Sequence, residues 1–114
     1  MYHWVVKTMR SRASAETFER IGTALAEATR RQILLALLDG PAYPAELADA
    51  LVVGRTNISN HLACLRGCGL VRAVREGKWV RYELTSTRLA NALSDLAGLQ
   101  LEIQPGHRDL DGRR

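Results

Sequence analysis

A mainly α-helical fold with one small β-hairpin is what this sequence predicts, and three observations predict it. Apolar residues recur at helical spacing in segments bounded by Gly and Pro. Two β-rich runs, residues 70–74 and Trp79–Leu84, flank Glu76-Gly77, and an acidic-Gly pair between such runs reads as a hairpin turn. Two helical segments meet at Val52-Val53-Gly54, and the second opens with polar residues, which is a helix-turn-helix pattern. A hairpin directly after the second helix is a wing. The fold class is therefore a winged helix-turn-helix. At 114 residues it forms a single domain.

Residues 1–12 carry Lys7, Arg10 and Arg12 without an acid and show no periodicity, so they read as a flexible basic arm. Ser14 can cap a first helix in which Phe18, Ile21, Leu25 and Ala28 recur on one side. Thr29 can cap a second helix over 30–38, which Asp39-Gly40-Pro41 stops. Pro44 opens a short third helix with Leu47, Ala48 and Leu51 inward. A fourth runs over about 55–67 with Ile58, Leu62 and Leu65 as its buried stripe, and Gly69 ends it. Ser86 or Thr87 caps a last helix bearing Leu89, Leu93, Leu96, Leu99 and Ile103. A stripe this apolar in so small a chain suits a second subunit, so a homodimer built on the terminal helices is expected over a domain of residues 13–103. Residues 104–114 read as a flexible polar tail.

Charge is concentrated rather than spread. Residues 55–81 contain Arg55, Arg66, Arg72, Arg75, Lys78 and Arg81 against one acid, Glu76, so this segment carries +5 in a chain of formal charge +4. Such a footprint is that of a nucleic-acid reader. Arg55, Thr56, Asn57, Ser59 and Asn60 open the fourth helix. Arg pairs in bidentate fashion with guanine, Asn with adenine, and hydroxyls at a helix start suit phosphate. In the wing, Arg75, Lys78 and Arg81 suit phosphates or a minor groove. The expected partner is double-stranded operator DNA. His61, beside Leu62, is better read as a hydrogen-bonded residue at the core's edge than as a base reader.

The two cysteines, Cys64 and Cys68, are four apart and share one helix face. That spacing can seat two thiolates on a soft metal ion, or it can place two small apolar side chains against a core. On spacing alone packing is favoured, because two ligands do not make a tight site. A disulfide at this spacing would distort the helix. His3, Glu102, His107, Asp109 and Asp111 are the candidate third ligands. There is no nucleophile–base pair in recognisable context, no Gly-rich phosphate loop and no H-E-x-x-H, so the chain is not expected to be an enzyme. It has no apolar run of membrane length and no export signal, and a cytoplasmic address without membrane partners is expected.

From about Phe18 to Leu101 the sequence resembles the ArsR/SmtB family of winged-helix metal-sensing repressors. Residues 25–34, LAEATRRQIL, are similar to the family's L-A-D-P-T-R-x-x-I-L opening. Ile58-Ser59-Asn60-His61-Leu62, with Leu65-Arg66 and Gly69-Leu70-Val71, resembles its recognition segment, and residues 76–82, EGKWVRY, its wing. Residues 59–71 resemble most the family's cadmium- and lead-sensing members. That resemblance implies that Cys64 and Cys68 bind Cd²⁺ or Pb²⁺ as inducer, with a further ligand from the tail. The tail here has no cysteine, and Gln104-Pro105 resembles the run before the missing thiol, which makes His107 the best third ligand. A Cys₂His set would favour Pb²⁺ less and tolerate Zn²⁺ more. The family's other sites lack their ligands: there is no Cys-x-Cys before the third helix and no His in the last. Val52 stands where the family has a turn glycine, and Gly54 is expected to offset this in part. The expected function is a metal-responsive repressor that leaves its operator when metal binds. The alternative is a repressor of the same fold without a metal site, its thiols structural or redox-sensing.

Overall fold

The computed structural model describes the backbone of residues 2–106 and the side chains of residues 11–106. His107 and the tail aspartates lie outside the described residues, as does the side chain of His3. The order of elements is α1 (Tyr2–Leu25), α2 (Ala28–Leu37), α3 (Pro44–Leu51), α4 (Arg55–Gly67), β1 (Val71–Glu76), β2 (Trp79–Leu84) and α5 (Thr87–Ala97). This is the winged helix-turn-helix that the pattern predicts.

Several boundaries differ from the sequence reading, each for a physical reason. The first helix begins at Tyr2 rather than after Ser14. No proline interrupts residues 2–25 and the first glycine is Gly22, so nothing stops the helix. The cap of α2 is Glu27, not Thr29: Glu27 is extended and its carboxylate accepts from the Arg30 backbone N–H at 2.9 Å. The first strand continues through Glu76, so the hairpin turn is Gly77-Lys78, with Gly77 at φ 63°. The last helix stops at Ala97 with Gly98 as its C-cap, short of Ile103. Ser86 is its N-cap, accepting from Leu89 N–H at 3.0 Å.

One core holds these elements. Ile33 and Leu34 of α2, Leu47 of α3, and Ile58, Leu62 and Leu65 of α4 are almost fully buried. Val71 and Leu84 carry the core-facing side of the hairpin into the same cluster. Three side-chain hydrogen bonds close the corner between α1 and α2: Arg30 donates to the carbonyls of Ala24 and Thr23 (3.1 and 2.8 Å), and Arg31 to that of Leu25 (2.8 Å). The consecutive arginines thus cap the C-terminus of α1, where carbonyls otherwise lack partners. Helix α4 ends in a Schellman closure. Leu70 N–H reaches Leu65 C=O and Gly69 N–H reaches Arg66 C=O, both at 3.0 Å, with Gly69 at φ 86°.

Among the described residues, apolar surface near the two ends of the chain is left uncovered. Only Leu93 of α5 is buried, whereas Leu96, Leu99, Leu101 and Ile103 are exposed, and Phe18 of α1 is 74% exposed. A cleft of about 320 Å³ between α2 and α5 is lined by Leu34, Leu35, Leu38, Leu93 and Leu96.

Val52, in the turn between α3 and α4, lies at φ 55°, ψ 52°, in the left-handed region. Gly54 does not offset it, because Gly54 is the extended N-cap of α4. A β-branched side chain there costs about 1–2 kcal/mol. The side chain is 90% exposed and contributes little packing in return. Val52→Gly relieves this strain and gives back part of the gain as chain entropy, so a net stabilisation of about 0.5–1 kcal/mol is expected in thermal or denaturant unfolding.

Candidate nucleic-acid interface and thiol pair

Helix α4 is divided lengthwise by its residues. Ile58, Leu62 and Leu65 form the buried stripe. Arg55, Thr56, Asn57, Ser59 and Asn60 are all exposed, on the first two turns. Gly54 caps the helix without a side chain, so the helix start is open to an incoming group. The structure therefore brings together the five polar residues that the sequence singled out on this helix.

The wing divides its charges differently. On the sheet face turned away from the core, Arg72 meets Glu83 at 2.7 Å, and Arg81 meets both Glu76 (3.0 Å) and Glu83 (2.7 Å). Glu76 and Glu83 are both held below the usual carboxylate range. For Glu76 the main causes are hydrogen bonds from Tyr43 and then Arg81; for Glu83, the bond from Arg72 leads. Arg81 is thus committed to two carboxylates in the free protein. Among the described residues, Arg55, Arg66, Arg75 and Lys78 make no ion pair, so they are the free cations of the +5 segment. Arg75 hydrogen-bonds only the Gly77 carbonyl, at 3.3 Å.

Tyr43 was not singled out in the sequence and links the two halves of this surface. Its neighbour Ala42 forms a β-bridge with Tyr82, which lays the start of α3 along strand β2. The Tyr43 backbone N–H donates to Glu46 at 2.8 Å, and its hydroxyl donates to Glu76 at 2.8 Å. The only signal in the sequence was Glu46 three residues after the cap position, in a box without its usual Ser or Thr.

His61 faces back to the α1–α2 corner, 3.7 Å from the Glu27 carboxylate and half-buried, at the edge of the core. The same Glu27 caps α2. Helix α4 therefore approaches the residue that caps α2. Nothing in the sequence pattern flagged Glu27, because glutamate is an uncommon cap.

Cys64 and Cys68 are both unpaired thiols of intermediate burial. Cys68, the C-cap of α4, retains right-handed helical geometry at φ −81°, ψ −7°, so the two remain on one face. They are not equivalent. Cys68 packs against the core cluster and also borders a shallow cleft of about 380 Å³ with Glu16, Glu19, Arg20 and Thr23 of α1. Among the described residues, no three His, Cys, Asp or Glu side chains are grouped to hold a metal ion. The described residues thus offer two soft donors on one helix face and no third ligand beside them.

Comparison with known proteins places these features. The model of a family described as "Bacterial regulatory protein, arsR family" matches residues 27–73, from the cap of α2 into the wing. The HTH-type transcriptional regulator CmtR of Mycobacterium tuberculosis is 55% identical over 84 residues, which cover 74% of this chain and 71% of that protein. A solved structure, the NMR structure of the cadmium metal-sensor CmtR from the same organism, superposes with a TM-score of 0.64 at 49% identity. It covers 83% of this chain and 99% of the other. A homodimeric winged helix-turn-helix DNA-binding domain from Mycobacterium bovis superposes at 0.71 with 32% identity, over 77% of this chain and 82% of that domain.

The Glu27 contacts have a measurable consequence. The Arg30 backbone N–H, and after it the proximity of His61, hold the Glu27 carboxyl below its usual range. A carboxyl depressed in the folded state contributes stability above its unfolded pKa, and that contribution is lost as pH falls through the folded value. Glu27→Gln is expected to lower stability by about 0.5–1 kcal/mol at neutral pH, the weak-cap range for a largely solvated group. The deficit should shrink as pH falls below the usual carboxylate range, as read from denaturant midpoints of both proteins across pH.

Proposed function

The chain belongs to the arsR family of bacterial regulatory proteins, and we propose that within it the protein is a metal-responsive DNA-binding repressor. Two copies would present two α4 helices to successive major grooves of a pseudo-palindromic operator. The exposed apolar residues of α1 and α5, Phe18 and Leu96 among them, and the segment after α5 supply a face for the second copy. Arg55, Asn57 and Asn60 would read base edges, Thr56 and Ser59 phosphate, with Arg75 and Lys78 on the flanking backbone. Arg81 would reach DNA only by exchanging a carboxylate for a phosphate. A site in the cytoplasm follows from this role.

One observation carries the proposal: α4, a helix of 13 residues, holds the polar face on its first turns, Cys64 on its last turn and Cys68 as its C-cap. Cys64 and Cys68, on giving up their protons, would hold a soft ion, Cd²⁺ or Pb²⁺, with Zn²⁺ tolerated. His107 is the proposed third ligand. Whatever closes the site pulls on the C-terminal end of the helix whose N-terminal end reads DNA. Such coupling is reciprocal and typically weakens DNA binding about 5–150-fold.

The packing of Cys68 against the core favours one competing reading, a repressor of the same fold whose thiols are structural. A titration of the reduced protein with Cd²⁺ separates the two. Thiolate-to-metal absorption in the near ultraviolet that saturates, and is lost in both Cys64→Ser and Cys68→Ser, is the expected result. On a duplex selected by the wild-type protein from a random pool, Cd²⁺ should release the wild type and leave the double Cys→Ser protein bound. No absorption, or release of the double variant, would assign the thiols to packing.

A further inference from the structure

The wing carries an aromatic feature that the charges of the reading surface do not account for. Trp79, first residue of β2, is 61% exposed. A single exposed apolar side chain calls for no explanation, but this one is held in place from several directions. The ring of Tyr43 meets it edge-on, with centroids 6.4 Å apart and planes at 68°. The ammonium of Lys78 sits over the indole, 5.6 Å from its centroid. Across the hairpin Trp79 pairs with Glu76, and Glu76 accepts from the Tyr43 hydroxyl at 2.8 Å and meets Arg81 at 3.0 Å. The Ala42–Tyr82 bridge fixes the backbone next to Tyr43. The indole orientation is therefore set jointly by the wing and by the start of α3, the first helix of the helix-turn-helix.

The patch so formed is an apolar ring with one of the wing's free cations, Lys78, over it. That composition complements a DNA backbone, which alternates anionic phosphate with the apolar faces of deoxyribose. An acidic protein partner would be served by the cation alone and would leave the indole without a role.

We propose that Trp79 is a DNA-contacting residue, its exposed ring packing on deoxyribose beside a phosphate held by Lys78, and that Tyr43 is the positioning residue that presents it. This inference rests on the repressor reading and adds to it a contact made by an aromatic face rather than a charge. Contact between an aromatic face and nucleic acid is sequence-tolerant, so Trp79 strengthens binding at flanks that the recognition helix does not read.

The test uses the full chain in a Trp4→Phe background, so that Trp79 is the only tryptophan, and a duplex selected by the wild type from a random pool. Saturation with duplex is expected to shield Trp79 from acrylamide quenching. Trp79→Ala should bind about tenfold more weakly. It should lose hydroxyl-radical protection of the flanking sugars while keeping protection of guanine N7 in the major groove, and Trp79→Phe should restore most of both. Tyr43→Phe removes only the hydroxyl. It should raise acrylamide access to Trp79 in the free protein and weaken the same flank protection, which a residue that merely stabilises the fold would not do. If the wild type enriches a duplex and Trp79→Ala matches it in affinity and footprint, the inference is overturned and the repressor reading stands. If the wild type enriches no duplex, both fall.

Discussion

The constraint on which the molecule depends is the burial of one stripe of α4. Ile58, Leu62 and Leu65 are the floor of the core, at 1% exposure or less. Fixing that stripe fixes the rotation of the helix, and rotation decides what each remaining side chain faces. The polar residues of the first two turns are left in water. His61, Cys64 and Cys68, three and four residues apart, fall along another side, towards α1 and the α1–α2 corner. Rotating α4 by one residue, about 100°, would bury Ser59 and expose Leu62. The same apolar contacts that stabilise the fold therefore orient both candidate sites. The Schellman closure at Gly69 carries this orientation on, since Leu70 is bonded to Leu65 and leads directly into β1.

The wing adds a second restraint, and its charges are distributed with some economy. Arg72, Arg81, Glu76 and Glu83 form an alternating ladder on one face of a two-stranded sheet. Isolated hairpins are marginal in water, and exposed ion pairs are individually weak, so the ladder acts mainly by restricting the hairpin's conformers. Tyr43 and the Ala42–Tyr82 bridge then tie the hairpin to α3. The consequence for recognition is that not every basic residue of the segment is available. The free cations sit at the wing tip and on α4, whereas the mid-strand arginines are neutralised within the protein.

Most of the architecture could be read from the sequence because local signals agree with the tertiary fold. Pro44 at a helix start, Gly69 after a helix end, Ser86 as a cap and the period of Ile58, Leu62 and Leu65 each specify an element without reference to anything distant. What was not legible depends on contacts far apart in sequence. Tyr43 and Glu76 are 33 residues apart, and no pattern marks a tyrosine as a link between a helix start and a wing. Glu27 caps α2 against expectation because the corner geometry, with Arg30 and Arg31 reaching back to α1, positions its carboxylate. Arg81 read as a free cation because net charge along a segment does not reveal cross-strand partners. The apolar run to Ile103 read as helix because periods of two and of three-to-four both fit Leu99, Leu101 and Ile103 in part; Gly98 decides it.

In the proposed reading of the two thiols, a single helix face serves packing and sensing together. A cysteine fully buried in the core would be inert, since forming a thiolate there carries a large desolvation cost. One fully exposed would bind a metal ion without moving anything. Cys64 and Cys68 occupy the intermediate position, half-buried on the last turn and at the C-cap of α4, with Cys68 in contact with the core and with the cleft bordered by α1. In the proposed reading, drawing Cys68 towards an ion changes its contacts with α1 and with the core at once. Helix α4 is short and closed at Gly69, so that displacement is not absorbed by fraying of its end. It would reach Leu65 and Leu62, and through the shared stripe the orientation of Arg55 to Asn60. A sensor of the proposed kind would need no separate signalling element, because the stripe that orients the polar face of α4 is the one that the thiols would disturb.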